Sequence, residues 1–439
     1  MPPPKPPSHP SPSSTIDLTP YEALYKTFHL HPELSNSESL TSTTCTTHLA
    51  TLSPTLTLHT HIGGFGLAGV FPNGPGKTVL LRADMDALPI LETTGLPYCS
   101  TAHGLALNTD GTQTQTKTPV MHACGHDMHM TCLLAATEVL IKGAKSWSGT
   151  LIVLFQPAEE RGSGARAMVD DGLYDKIPVP DFILGQHVMA MRAGSVGLRQ
   201  GTIMAGADSL KITLFGSEGG GHGSQPHRVV DPAVLAAHVV VRLQSVVSRE
   251  VDYNDVAVLT VGSVAAGKTE NIIAEKAVLG VDFRSTRPEV REKLRGAIER
   301  VVRGECLASG CTKEPLIEQT RFLPTTVNDE AMTNRLSSVF TSFFGEENFD
   351  PDIPVTTIAE DFSILANAKG KRVPCVFWHW GSVDEKLWDS KKKEGRLNDV
   401  PINHSSGFAP VIQPTLRTGV DALVVAALEF FGGEGLAKL

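Results

Sequence analysis

Apolar residues recur along the chain in two rhythms, and their alternation sketches the fold. Residues 78–83, 149–155 and 181–184 are short apolar runs of strand length. Between them the spacing turns helical. Residues 19–29 predict a helix with Thr19 as cap and Pro20 in its first turn, and residues 37–52 predict a second. Asp127 is expected to cap a third, in which Met130, Leu133, Leu134, Thr137 and Leu140 keep one face. Residues 163–173 repeat the pattern. Strands alternating with helices predict an α/β fold, a mostly parallel sheet with helices on both faces.

The texture changes after residue 206. Strand, helix, strand, strand, helix and strand are predicted at 209–215, 231–249, 256–264, 277–284, 288–307 and 313–319. This β-α-β-β-α-β order is that of a ferredoxin-like α+β unit able to fold alone. Residues 207–320 are therefore expected to be an inserted domain. The α/β texture resumes with a helix at 329–344, a short helix at 360–368, a strand at 373–380 and a closing helix at 411–431. The larger domain is then discontinuous, 19–206 joined to 321–432. Residues 1–18, mostly Pro and Ser at their start, are expected to be a disordered tail, and the Gly-rich 433–439 a flexible one.

Composition narrows the classes. The 439 residues are 41% hydrophobic and 19% charged, as in a globular chain with a large core. No apolar run approaches the roughly 20 residues of a membrane span. A net charge of −9 without a long basic run argues against nucleic acid. The seven cysteines are scattered, which predicts a reduced, intracellular chain. No secretory signal opens the sequence. The closing Ala437-Lys438-Leu439 is a variant of the Ser-Lys-Leu address, so a cytoplasmic location is expected, or a peroxisomal one if the source is eukaryotic.

The chemistry concentrates in Met121-His122-Ala123-Cys124-Gly125-His126-Asp127-Met128-His129, where soft and borderline donors crowd nine residues. Asp84 and Asp86 follow one predicted strand, Glu159 and Glu160 a second, and His187 a third. In open α/β sheets, sites assemble at that end of the strands. Donors on successive strand ends are what a two-metal site needs. Adjacent acids at a strand end point different ways, so one of Glu159 and Glu160 can bind metal while the other moves a proton. In the insert, Gly219-Gly220-Gly221-His222-Gly223 lacks the Lys of a phosphate loop, and His222 is a candidate oxyanion donor. Asn271 and Arg284 are candidates for a substrate carboxylate.

Five motifs occur in order: Leu81-Arg82-Ala83-Asp84-Met85-Asp86-Ala87-Leu88-Pro89, the stretch from Met121 to His129, Phe155-Gln156-Pro157-Ala158-Glu159-Glu160, Gly221-His222-Gly223 with Pro226-His227, and Ala359-Glu360-Asp361-Phe362. Together they resemble the metal-dependent amidohydrolases that include hippurate hydrolase, N-acyl-amino-acid deacylases and auxin–amino-acid conjugate hydrolases, within the aminoacylase and carboxypeptidase G group. The resemblance covers residues 21–431. It implies Cys124, His126, Glu160, His187 and His404 as ligands of two divalent metals, Mn or Zn in family terms, with Co or Ni also compatible with the donors. It implies Glu159 as general base and acid, and Asp86 as the residue that orients a ligand histidine. It further implies a homodimer in which His222 reaches the partner's site, with Asn271 and Arg284 on the substrate carboxylate.

The activity so implied is hydrolysis of N-acyl or N-aroyl amino acids. A dipeptidase or carboxypeptidase with the same site is the alternative, and an amide-forming or non-catalytic binding protein the alternative of another class. Three departures from the pattern bear on the acyl group: a long polar loop at 100–119, Gly185-Gln186-His187 where Leu is usual before the histidine, and Trp378-His379-Trp380, expected near the pocket.

Overall fold

The computed structural model describes residues 11–106 and 114–432, which fall into two compact units. The first takes the chain up to Ile203, Val327–Pro354 and the residues from Asp361; the second takes Met204–Thr326 and Val355–Glu360. The C-terminal tripeptide, the tail at 433–439, residues 1–10 and part of the polar loop, 107–113, lie outside the described residues.

In chain order the first unit contributes helices α1 (Thr19–Leu30) and α2 (Ser39–Leu52) and strands β1 (Thr57–Ile62), β2 (Gly66–Asn73) and β3 (Lys77–Asp84). Helix α3 (His126–Lys142), strand β4 (Gly149–Gln156), helix α4 (Gly164–Asp170) and strands β5 (Phe182–Arg192) and β6 (Val196–Gly197) follow. The second unit supplies β7 (Gly206–Phe215), α5 (Pro232–Glu250), β8 (Ala257–Ala266), β9 (Lys276–Ser285), α6 (Pro288–Ala308) and β10 (Leu316–Leu323). The first unit then closes with α7 (Glu330–Phe344), β11 (Phe349–Asp350), β12 (Cys375–Val383) and α8 (Thr415–Phe431).

The first unit is an α/β fold around an eight-stranded sheet in the order β1-β2-β4-β3-β5-β12-β6-β11. Its central strands β4, β3, β5 and β12 are parallel. The antiparallel pairings lie toward the edges, at β1 with β2, β2 with β4 and β6 with β12. Strands buried on both faces read as unbroken apolar runs, and Val79, Leu80 and Leu81 of β3 are all buried. Parallel direction sends the C-terminal ends to one edge. Asp84 pairs with Gln156, Arg82 with Gly185, and His187 with His379, so acid and imidazole groups stand at neighbouring levels there.

One face carries α3 and α8, which pack on each other and on β3. Trp378 and Trp380 of β12 are fully buried against this layer, not beside a pocket as the sequence led us to expect. The Trp378 indole N–H donates to Gln186 Oε1 (3.0 Å), the Gln186 amide donates to the Gly419 carbonyl (3.1 Å), and the Trp380 indole donates to the Thr415 carbonyl (3.1 Å). Gly419 is required by this closeness, since a Cβ there would lie 2.6 Å from Cys132 Sγ. The opposite face carries α4 and the turn Phe362–Ile364, with the Phe362 ring 4.8 Å from that of Phe377.

The second unit is a four-stranded antiparallel sheet in the order β8-β9-β7-β10, with α5 and α6 packed on it. Its core gathers Leu210, Ile212 and Leu214 from β7, Leu279, Val281 and Phe283 from β9, and Leu235, Leu243, Leu294 and Ile298 from the helices. Asp231 caps α5, its carboxylate accepting the N–H groups of Ala233 and Val234. Residues 355–360 join through Thr356, whose carbonyl accepts the Ala205 N–H at 3.0 Å, a remote pairing that no local pattern carries.

Several boundaries differ from the sequence reading, each for a visible reason. Residues 11–18 are not a disordered tail: Pro12–Thr15 form a 3-10 turn, and the Ser11 hydroxyl and Ser13 N–H donate to buried Asp421 at 2.5 and 2.8 Å. Asp17, not Thr19, serves the start of α1, accepting the Thr19 N–H at 2.9 Å. The closing helix begins at Thr415 and not at 411, because the Val411 N–H bonds to Ser382 instead. The helix predicted at 360–368 is only the turn Phe362–Ile364, since Asp361 is drawn into a buried ion network. Asp127 is not a cap: α3 starts behind Gly125, and the Asp127 carboxylate faces His29.

Candidate metal centre

The metal-site residues read from the sequence converge at the C-terminal edge of the first unit's sheet. Cys124 arrives on the turn before α3. That turn needs Gly125 at φ +87°, where a Cβ would meet Val188 at 2.3 Å. The His126 Nδ1–H donates to the Asp86 carbonyl (2.8 Å), which turns Nε2 toward the cluster. His404 sits in a left-handed turn at φ +68°, its N–H held by the Ala123 carbonyl (2.8 Å). Beside it the Asn403 amide donates to the carbonyls of Cys124 (3.1 Å) and Val188 (3.0 Å), tying three segments together.

The donors then meet. Cys124 Sγ lies 3.4 Å from His187 Nε2 and 3.2 Å from His404 Nε2. Glu160 Oε2 lies 3.3 Å from His404 Nε2, and Glu160 Oε1 3.8 Å from His126 Nε2. Glu159 Oε2 is also 3.8 Å from His126 Nε2. The ligand atoms of Cys124, Glu160 and His404 fall within 4.8 Å of one another, as do those of His126, Glu159 and Glu160.

The residues fit a cation. His126 Nε2 and Glu160 Oε1 are buried and make no hydrogen bond, a costly state that a bound ion relieves. Burial and the nearby carboxylates of Glu160, Glu159 and Asp84 push the Cys124 thiol well above its ordinary pKa. Burial would lower the pKa of His126, but Asp84, Asp86 and Glu160 outweigh it and raise it to about 10. A field that draws a proton this strongly draws a divalent ion as well.

Not every donor nearby is available. His129 Nε2 accepts the Val188 N–H (2.9 Å), so Nδ1 carries the hydrogen and donates to Asp84. Both its nitrogens are committed. Asp84 in turn accepts Arg82 Nη1 at 2.7 Å. The Asp86 carboxylate accepts the N–H groups of Glu159 (3.1 Å) and Glu160 (3.0 Å) and the Ser35 hydroxyl (2.6 Å), so Asp86 meets His126 most closely through its backbone.

His222, Asn271 and Arg284 belong to the second unit. His222 pairs with Ile272 in a short antiparallel ribbon, and the Gly223 N–H donates to the Asn271 carbonyl at 2.8 Å, which brings His222 and Asn271 to one corner. His222 Nδ1 accepts the Ser224 N–H (3.1 Å), leaving Nε2–H as an exposed donor. Arg284 lies on β9, its Nε on Asp282 (2.9 Å) and its Nη1 on the Thr357 carbonyl (2.9 Å).

The sequence reading missed the supports behind the site. Arg82 is fully buried among Asp84, Gln156 and Asp361. A cation inside an apolar strand was the available signal, and Asp361 of the motif at 359–362 is its partner. His29 joins Asp127 (2.7 Å) and Glu92 (3.1 Å). Burial would lower the His29 pKa, but the two carboxylates raise it to about 10. Burial would likewise raise Glu92, yet His29 and its other hydrogen bonds hold it at about 2.

The raised histidine stabilises fully below its unfolded pKa of about 6.5 and loses this as pH rises toward 10. The depressed Glu92 carboxyl stabilises above about 4.5 and loses this as pH falls toward 2, and Asp127, whose burial is likewise outweighed by His29, is also depressed and acts in the same direction. The triad thus contributes most between about pH 4.5 and 6.5. Urea midpoints of His29→Gln should fall less steeply than wild type between pH 6.5 and 10; parallel curves would remove His29 from this role.

Residues 80–397 match the sequence model of peptidase family M20/M25/M40. Hippurate hydrolase of Campylobacter jejuni is 34% identical over 351 residues, 80% of this chain and 85% of the relative. The IAA-amino acid hydrolase ILR1-like 5 of Arabidopsis thaliana is 33% identical over 343 residues, 77% of this chain and 74% of the relative. Among solved structures, the Bacillus subtilis YxeP protein, described as a dinuclear metal binding peptidase, covers 93% of this chain and 97% of its own at TM-score 0.69 and 23% identity, a likeness of fold. The chain belongs to peptidase family M20/M25/M40.

Proposed function

We propose that this protein hydrolyses the amide bond of N-acyl or N-aroyl amino acids to a carboxylic acid and an amino acid, with two divalent cations held by Cys124, His126, Glu160, His187 and His404. The carrying observation is the convergence of thiol, imidazoles and Glu160, with Glu159 Oε2 alongside at 3.8 Å from His126 Nε2. Two cations held there would polarise a carbonyl oxygen and activate a water. Glu159 takes that water's proton and returns it to the departing nitrogen. The names of the Campylobacter and Arabidopsis relatives support the substrate class.

The second unit completes the reading as a ferredoxin-like dimerisation domain of a homodimer. His222, with Nε2–H outward, donates to the oxyanion in the partner's site. Asn271 and Arg284 receive the substrate carboxylate, Arg284 through the edge of its guanidinium that Asp282 and Thr357 leave open. Mn or Zn is the expected metal pair, with Co or Ni as substitutes.

Dialysis against a chelator should silence hydrolysis of hippurate and N-acetyl amino acids, and Mn, Co or Zn should restore it. Activity that survives thorough metal removal overturns the two-metal reading. Dipeptides turned over faster than every acylated amino acid tested would favour the peptidase alternative.

A further inference from the structure

We infer that Glu38 is a positioning residue for Glu159, acting through the backbone of the turn that carries it. The inference rests on the reading of Glu159 as the proton-transferring base.

Ala158, Glu159 and Glu160 present consecutive N–H groups because Ala158 adopts φ +48°, a left-handed conformation uncommon for a residue with a Cβ. Consecutive N–H groups in such a turn form a concavity that holds anions. Here it is filled from within the chain. Asp86 takes the Glu159 and Glu160 N–H groups at 3.1 and 3.0 Å, and Glu38 Oε1 takes the Ala158 N–H at 2.8 Å. Glu38 comes from 120 residues away, at the start of α2, and is fully buried. Burial and the neighbouring Asp86 push its carboxyl up to about 8. Without Glu38, the Ala158 N–H is buried and unpaired, and the left-handed turn loses the contact that fixes it. Glu159 and Glu160 both keep their N–H bonds to Asp86, but Glu159 follows the released Ala158 peptide directly, so the error falls first on Glu159. A displacement of about 1 Å in a reacting group costs up to about 100-fold in rate.

The test is a cycle of Glu38→Ala, Glu38→Gln and Glu159→Gln on the full chain loaded with Mn, read by kcat, KM and metal content. Glu38→Ala should lower kcat about 10- to 100-fold, with KM within about twofold and metal content unchanged. In the Glu159→Gln background it should cost nothing further. Glu38→Gln, which keeps the acceptor for Ala158, should recover most of the rate. If Glu38→Ala does not fold, Glu38→Asp, one methylene short, takes its place in the same cycle. Equal losses in both backgrounds, loss of metal, or a wild-type kcat in Glu38→Ala would each overturn the inference while leaving Glu159 as base. Glu159→Gln turning over at the wild-type rate would overturn both.

Discussion

Glu159→Gln is expected to lower kcat by about 100- to 10,000-fold while the protein still binds two equivalents of metal. The substitution keeps the shape of the side chain and removes only its ability to take a proton. The expected ligands should hardly feel it, because the Glu159 carboxylate stands 3.8 Å from His126 Nε2, while His404 Nε2 lies 3.3 Å from Glu160 and 3.2 Å from Cys124. KM for an acylated amino acid should change little, since the group acts on the water and the departing nitrogen. Metal content by elemental analysis, measured beside steady-state kinetics, separates the two effects. A rate near wild type would assign the proton transfer elsewhere, and a loss of metal would move Glu159 into the ligand set.

Arg82→Met should destabilise the first unit by about 3–5 kcal/mol, read as a lower urea midpoint. The guanidinium is buried on β3 and serves Asp84 at 2.7 Å, Gln156 at 3.0 Å and Asp361 at 3.4 Å. Burial would raise the Asp84 carboxyl, but His126, His129 and Arg82 together hold it well below the ordinary carboxylate range. Removing Arg82 leaves two buried acids without their shared cation. Asp361→Asn in the same chain should recover part of the loss, because only one charge is then stranded. An unchanged midpoint in Arg82→Met would mean that the network contributes nothing net to folding.

The two networks mark where sequence reading works and where it stops. Strands β3, β4 and β5 were legible because parallel strands covered on both faces are continuous apolar runs. Strand β1 reads Thr57-Leu58-His59-Thr60-His61-Ile62 and sits at an antiparallel edge, so its mixed polarity gave no strand signal. The candidate donors Cys124, His126, Glu160 and His187 were visible because they follow an apolar strand or open a helix at a motif, whereas His404, in a turn, was reached only through the family resemblance. Their supports were not, because the partners are distant: Arg82 and Asp361 are 279 residues apart, and Glu38 and Ala158 are 120 apart. The acidic start at 360 reads locally as a helix cap, whereas tertiary charge decides what Asp361 does. Gly125 shows the same limit: its left-handed turn starts α3 and frees Asp127 for His29.

The buried link between Gln186 and Trp378 joins what looked like two unrelated departures from the family pattern. A tryptophan at 378 brings an indole N–H into a fully buried layer, and leaving it unpaired there costs about 1–3 kcal/mol. Gln186, next to His187, supplies the acceptor and passes its own amide to Gly419. The glutamine alone would be a buried polar group without its acceptor role, and the tryptophan alone a buried donor without a partner. Neither change is well tolerated first, so the two positions are expected to change together. A leucine at 186 is expected beside an apolar side chain at 378, and an alignment of related sequences in which Gln186 and Trp378 vary independently would sink this coupling.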